Sequence, residues 1–149
     1  DLRGVFLCSK MVGKAMIQQR RGNIINIASN SAYSPIPQGN AYSVAKAGVR
    51  MLTRIAALEW GRYNIRVNSI SPGFVRTPLT ESVYADQNQY RKRTELVPIK
   101  RIGTPEDVAK LALFLASEDS SYIHGEDIVI DGGFLTTVYQ QVPSRPPIK

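Results

Sequence analysis

Three short apolar runs, set between segments of helical periodicity, constrain this chain more than any single residue does. The runs are Asn23–Ala28, Ile65–Ile70 and Asp127–Ile130. Nearly continuous apolar character over so few residues is the mark of strands buried on both faces, the usual condition of a parallel sheet. Gly4–Gln19 carries Val5, Leu7, Met11, Val12, Ala15 and Met16 at helical spacing, and Arg20-Arg21-Gly22 ends it. A longer helix is expected over Ala41–Gly61. Thr104-Pro105-Glu106-Asp107 reads as a third helix start, with threonine at the N-cap, proline next and an acid placed for a capping box. Val108 to Ala116 carry that helix to about Ser117. Helix, strand, helix, strand, helix, strand is the order of an α/β fold with a doubly wound parallel sheet, of which three strands are present. Residues 1–135 read as one unit. Residues 136–149, with Pro143, Pro146 and Pro147, read as an extended C-terminal tail.

Tyr42 and Lys46 fall four residues apart at the start of the long helix, so their side chains stack on one face about a turn apart. An ammonium beside a phenol favours the phenolate, which would make the tyrosine a proton donor and acceptor nearer neutral pH. By itself this spacing is common on helices. Ser29 closes the first apolar run, and Pro72-Gly73 turns the chain out of the second, where backbone can come close to a flat ligand. Taken singly, Ser29 is a strand-end serine, Lys46 a surface lysine and Pro72-Gly73 a strand-to-loop turn. The small residues Ala41, Ala45, Ala47 and Gly48 would admit another helix or a ligand at short range.

In combination these residues read differently. Ser29, Tyr42 and Lys46, the Pro72-Gly73 turn with Thr77 behind it, and the closing Asp131-Gly132-Gly133 follow the pattern of the classical short-chain dehydrogenase/reductase family. The chain resembles that family from Asp1 to about Phe134. The resemblance implies the C-terminal, catalytic half of a Rossmann-like domain, in an NAD- or NADP-dependent oxidoreductase interconverting a secondary alcohol and a ketone. Ser29 and Tyr42 would hydrogen-bond the carbonyl oxygen, and Tyr42 would exchange the proton. Lys46 would assist Tyr42 and hold the nicotinamide ribose. Cofactor contacts would come from Tyr42, Lys46, Pro72, Gly73, Val75 and Thr77. The motif wording is similar to polyol or sugar dehydrogenases and to 3-oxoacyl reductases, and the Tyr–Lys spacing argues against the enoyl-reducing branch. Family members pair their two long helices, so Gly4–Gln19 and Ala41–Gly61 are the expected surface of a homotetramer or homodimer. Thr77–Ile99 corresponds to a variable substrate flap, where Tyr90-Arg91-Lys92-Arg93 would suit a polar or anionic substrate.

Two features depart from the family pattern. No Gly-rich strand-to-helix turn occurs, so the usual pyrophosphate cradle is missing. The expected explanation is a piece of a longer protein, since Asn23–Ala28 would otherwise expose a bare sheet edge. Asp1 stands where the family has asparagine; ionised, it would pair with Lys46. Both features favour the alternative of a non-catalytic dehydrogenase-like chain that keeps only its assembly surfaces.

The net charge of +7 raises the question of nucleic acid. The basic residues are scattered, among them Arg50, Arg54, Arg62 and Arg66, with no interleaved aromatic platform or nucleic-acid motif, so a solvated basic surface is expected. No run of eighteen apolar residues suggests a membrane span. Cys8 is the only cysteine. It forms no intrachain disulfide, which agrees with a reducing, cytoplasmic setting, and on a helix face it reads as a small buried hydrophobe. His124 is the sole histidine and falls in a loop. Neither a Ser-His-Asp triad nor an N/S metal cluster can be assembled, and no metal is expected.

Overall fold

The structure, a computed structural model, describes residues 1–37 and 39–139. Its elements are α1 (Leu2–Gln19), β1 (Gly22–Ile27), α2 (Ala41–Trp60), β2 (Ile65–Pro72), two short helices α3 (Glu81–Ala85) and α4 (Gln87–Leu96), α5 (Pro105–Ala116) and β3 (Asp127–Ile130). α1 stops where Arg20 adopts φ 51°, and Arg20 and Arg21 donate to the Ile17 and Met16 carbonyls. This is a left-handed cap that satisfies carbonyls the helix leaves open. At α5 the foreseen capping box is present: the Asp107 carboxylate accepts from the Thr104 N–H at 2.8 Å, and the Thr104 hydroxyl accepts from the Asp107 N–H. A 3-10 turn at Phe134–Tyr139 follows β3, so positions 136–139 of the expected tail are wound rather than extended. Pro143, Pro146 and Pro147 lie outside the described residues.

The three strands are parallel in the order β1-β2-β3, with Ile24 opposite Val67 and Ser69 opposite Asp127. Side chains alternate along each strand, and the two faces receive different helices. On one face Ile24, Ile65 and Val67 pack with Ala56 and Ala57 of α2, joined by Met16 and Ile17 of α1 and by Trp60. Gly48 lets α1 come close to α2: a Cβ there would lie 2.7 Å from Leu2 Cδ2. On the other face Asn23 Nδ2 donates to Leu115 O at 2.7 Å, and Arg66 donates to the carbonyls of Leu115, Ser117 and Ser120. Its guanidinium thus meets the negative end of α5. Helices on both faces make the sheet doubly wound.

Two expectations are corrected by packing. Cys8 is exposed, because α1 turns Ser9 and Gly13 inward instead. Arg50 and Arg66 do not belong to the solvated basic surface; both are partly buried and donate to internal carbonyls. On its outer side β1 has no strand beside it among the described residues, and Ile27 there is 46% exposed. Among the described residues no helix is long and apolar enough to cross a membrane, and no three metal-ligating side chains cluster.

Candidate active site

β1 delivers Ser29 to the carboxyl end of the sheet, the end at which open parallel sheets bind ligands. Ala28 still donates to Ile70 O at 2.8 Å, and the chain then enters a 3-10 turn over Asn30–Ala32. Ser29 caps that turn. Its Oγ accepts from the Ser31 N–H at 3.1 Å and from Ser31 Oγ at 2.9 Å. With both lone pairs occupied, the Ser29 proton is the function left open, so the hydroxyl is set as a donor. Spacing alone did not single out Ser31. The available signal was Ser-x-Ser at a strand end, where a hydroxyl commonly caps the next turn.

α2 brings in the other two residues. Tyr42 lies in its first turn and is 39% exposed, and Lys46 Nζ sits 5.7 Å from the Tyr42 ring centroid. Lys46 Nζ also donates to Ile27 O at 2.9 Å, two residues before Ser29. One ammonium therefore ties the helix to the strand end that carries the serine. Among the described residues Nζ has no second partner, so two of its three N–H donors remain for a ligand. Asp1 is the exposed N-cap of α1, and no ion pair joins it to Lys46 among the described residues.

The Gly73 N–H donates to Ile130 O at 3.0 Å as β2 ends. A Cβ on Gly73 would lie 2.5 Å from Asp131 Cβ and 3.2 Å from Asn30 Nδ2. Only glycine lets the backbone pass between the residue after Ser29 and the start of the Asp131-Gly132-Gly133 turn. Pro72-Gly73 therefore stands at the same strand-end crevice as Ser29. Val75 lies further out, in a single parallel bridge to Gly103. The Thr77 N–H donates to Thr80 Oγ1 at 2.9 Å, and the two hydroxyls are 3.2 Å apart. Thr80 Oγ1 gives its own proton to the Val75 carbonyl at 2.9 Å, so both the N–H and the hydroxyl of Thr77 are engaged within the loop.

A part-buried polar cluster lies one helical turn beyond Lys46. Asp127 Oδ2 accepts from Tyr33 OH at 2.7 Å and from Ser71 Oγ at 2.7 Å, while Oδ1 accepts from Ser69 Oγ. Arg50 Nε is 3.2 Å from Oδ2, although its N–H is not aimed at the carboxylate. The Arg50 guanidinium stacks 3.5 Å from the Tyr33 ring centroid, and Nη1 donates to Ala32 O at 3.3 Å. Burial of the Tyr33 hydroxyl end, its bond to Asp127 and that carboxylate's charge push the phenol up to about 12, against the pull of Arg50. An acid opening an otherwise aliphatic strand, and an arginine four residues past Lys46, were the sequence signals for this cluster. His124 keeps the loop role foreseen for it: Nδ1 accepts from the Val67 N–H at 3.2 Å, and Nε2 lies 2.9 Å from Ala57 O.

Known proteins match this chain over about nine-tenths of its length. A family model described as enoyl-(acyl carrier protein) reductase matches residues 1–135. Galactitol 2-dehydrogenase of Rhizobium johnstonii is 42% identical over 137 residues, covering 90% of this chain and 53% of that protein. The 3-oxoacyl-(acyl-carrier-protein) reductase FabG of Thermotoga maritima is 42% identical over 135 residues, covering 91% and 54%. The crystal structure of a gluconate 5-dehydrogenase from Burkholderia cenocepacia, in complex with NADP and tartrate, superposes with a TM-score of 0.87 at 33% identity, covering 92% of this chain and 54% of that one. The chain spans about half the length of the curated relatives it matches.

Proposed function

Because this chain belongs to the short-chain dehydrogenase/reductase family, we propose that it carries the catalytic half of an NAD- or NADP-dependent oxidoreductase interconverting a secondary alcohol and a ketone. The observation that carries the reading is Lys46, held 5.7 Å from the Tyr42 ring and 2.9 Å from the Ile27 carbonyl. A single side chain so placed links the proton donor on α2 to the strand end bearing Ser29. The residues suit a nicotinamide ribose, since Lys46 keeps two donors for its hydroxyls and the exposed Tyr42 lies beside them. A bound nicotinamide cofactor would supply or take up the hydride. Ser29, with its proton free, donates to the carbonyl oxygen. Tyr42 Oη gives a proton to that oxygen in reduction and removes it in oxidation. Lys46 sets its charge beside the tyrosinate that forms. Proton transfer of this kind contributes ~10²- to 10⁴-fold in rate.

The substrate is read as a polyol, a sugar acid or a 3-oxoacyl thioester, the classes named for the relatives above. The pyrophosphate end of the cofactor has no Gly-rich cradle in this sequence. We place that cradle beyond the open edge of β1, where a further strand can pair. Apolar faces on α1 and α2 support a homodimer or homotetramer.

Tyr42→Phe in the full-length protein tests the assignment, with NAD and NADP offered against galactitol, gluconate and a 3-oxoacyl thioester. Turnover should fall by at least ~10²-fold with cofactor affinity unchanged; an undiminished rate would refute the role given to Tyr42. Lys46→Ala should damage turnover and cofactor binding together.

A further inference from the structure

We propose that Tyr33, Asp127 and Arg50 form a tether that fixes the Ser29 turn against the helix bearing Tyr42 and Lys46, and so act as positioning residues for the reaction; this rests on the function proposed above. The turn behaves as one piece. Ala32 donates to Ser29 O at 3.0 Å, Tyr33 to Asn30 O at 3.0 Å and Ser34 to Asn30 O at 3.2 Å. Whatever holds Tyr33 therefore holds Ser29. Tyr33 is held at both ends, its hydroxyl on the Asp127 carboxylate and its ring under the Arg50 guanidinium. Arg50 grips the turn a second time through Ala32 O.

The other half of the tether is α2 itself. Arg50 lies one turn past Lys46 and two past Tyr42, and helix rise is fixed at about 1.5 Å per residue. Anchoring Arg50 therefore fixes how far Tyr42 and Lys46 extend over the strand ends, and which way they face. A carboxylate 9% exposed is an expensive way to hold a helix, since a strand reading Ile-Val-Ile could have kept an aliphatic residue there. The return is registry. Charged, multiply bonded contacts have one geometry, whereas aliphatic contacts slide. Ser69 and Ser71 on β2 root the carboxylate in the sheet, so β2, β3, α2 and the Ser29 turn meet at one group.

The test is Tyr33→Phe, which removes only the hydroxyl, made in the wild-type protein and in a Ser29→Ala background. Each is assayed with whichever of galactitol, gluconate or 3-oxoacyl thioester the wild-type protein turns over. In the wild-type background kcat should fall about tenfold, the scale on which small misplacements act, while the cofactor KM holds. In the Ser29→Ala background the same substitution should cost nothing further, because the hydroxyl it positions is gone. Asp127→Asn should lower kcat by a similar factor and not add to Tyr33→Phe. Amide exchange of Ala32 and Tyr33, measured without substrate, should quicken about tenfold in Tyr33→Phe while that of Val67 stays unchanged. A full kcat in folded Tyr33→Phe, equal losses in both backgrounds, or unchanged exchange of the turn would overturn the tether. Tyr42→Phe run alongside separates the two readings. If it is inactive while Tyr33→Phe is not, the tether alone fails; if Tyr42→Phe is itself active, the reading beneath it fails and takes the tether with it.

Discussion

A phenol that donates to a part-buried carboxylate can ionise only by placing a second negative charge beside the first, and this governs Tyr33. Its value of about 12, against an ordinary 10.0, means that the fold holds its neutral form. Folded-state affinity for the proton above that of the unfolded chain stabilises the protein below about pH 10, and that contribution is lost as pH rises through 12. Alkaline unfolding between pH 10 and 12 should therefore be shallower in Tyr33→Phe than in the wild type, as followed by circular dichroism. A difference absorbance titration should find the Tyr33 transition lowered in Asp127→Asn. Because 43% of Tyr33 stays accessible, the direction of these changes is the prediction. The catalytic candidates Ser29, Tyr42 and Lys46 were legible only in combination, through resemblance to a family pattern, since each taken singly has an ordinary reading. Tyr33 and Arg50 were not, since their roles come from partners up to 94 positions away in sequence.

Among the elements, α5 has its two ends fixed by different means, one local in sequence and one distant. Its N-terminus was readable, because a capping box involves only neighbours: Thr104, Pro105 and Asp107. Arg101 adds a two-pronged pair, Nη1 to Oδ2 at 2.6 Å and Nη2 to Oδ1 at 2.9 Å. The hydrogen bonds from Arg101, then that from the Thr104 N–H, hold the Asp107 carboxyl well below its ordinary 3.8. The sign is the reverse of that for Tyr33. Stability from a depressed acid is complete above 3.8 and is lost as pH falls through its folded value. Thermal melts of Asp107→Asn should thus lie below wild type at pH 7 and converge with it below pH 3; parallel melts across that range would contradict the pairing. The C-terminus of α5 was not readable, because its carbonyls are met by Arg66 from β2, 49 residues away from Leu115. Short polar helices such as α3 and α4 were likewise hidden within Pro78–Lys100, lacking the apolar period that announces a buried face.

For the whole molecule, the notable surface is the one α1 and α2 turn outward. Phe6, Met11, Met51, Ile55 and Leu58 are all exposed, Leu58 by 87%. Apolar area of this kind on two neighbouring helices suits the proposed homodimer or homotetramer. Leu58→Glu in the full-length protein should shift sedimentation to a smaller species, since symmetry places the added charges in one interface; an unchanged assembly would remove this face from the contact. The sequence by itself determined the alternation of strands and helices, the parallel sheet and the residues able to move a proton, because periodicity and functional groups are properties of neighbours along the chain. Only the tertiary structure decided that Lys46 bonds the strand before Ser29 and that Asp127 gathers Tyr33 and Arg50 beneath the helix. Those contacts join residues that no local pattern relates, and a hydrogen bond or an ion pair exists only once folding has set its two partners within about 3 Å.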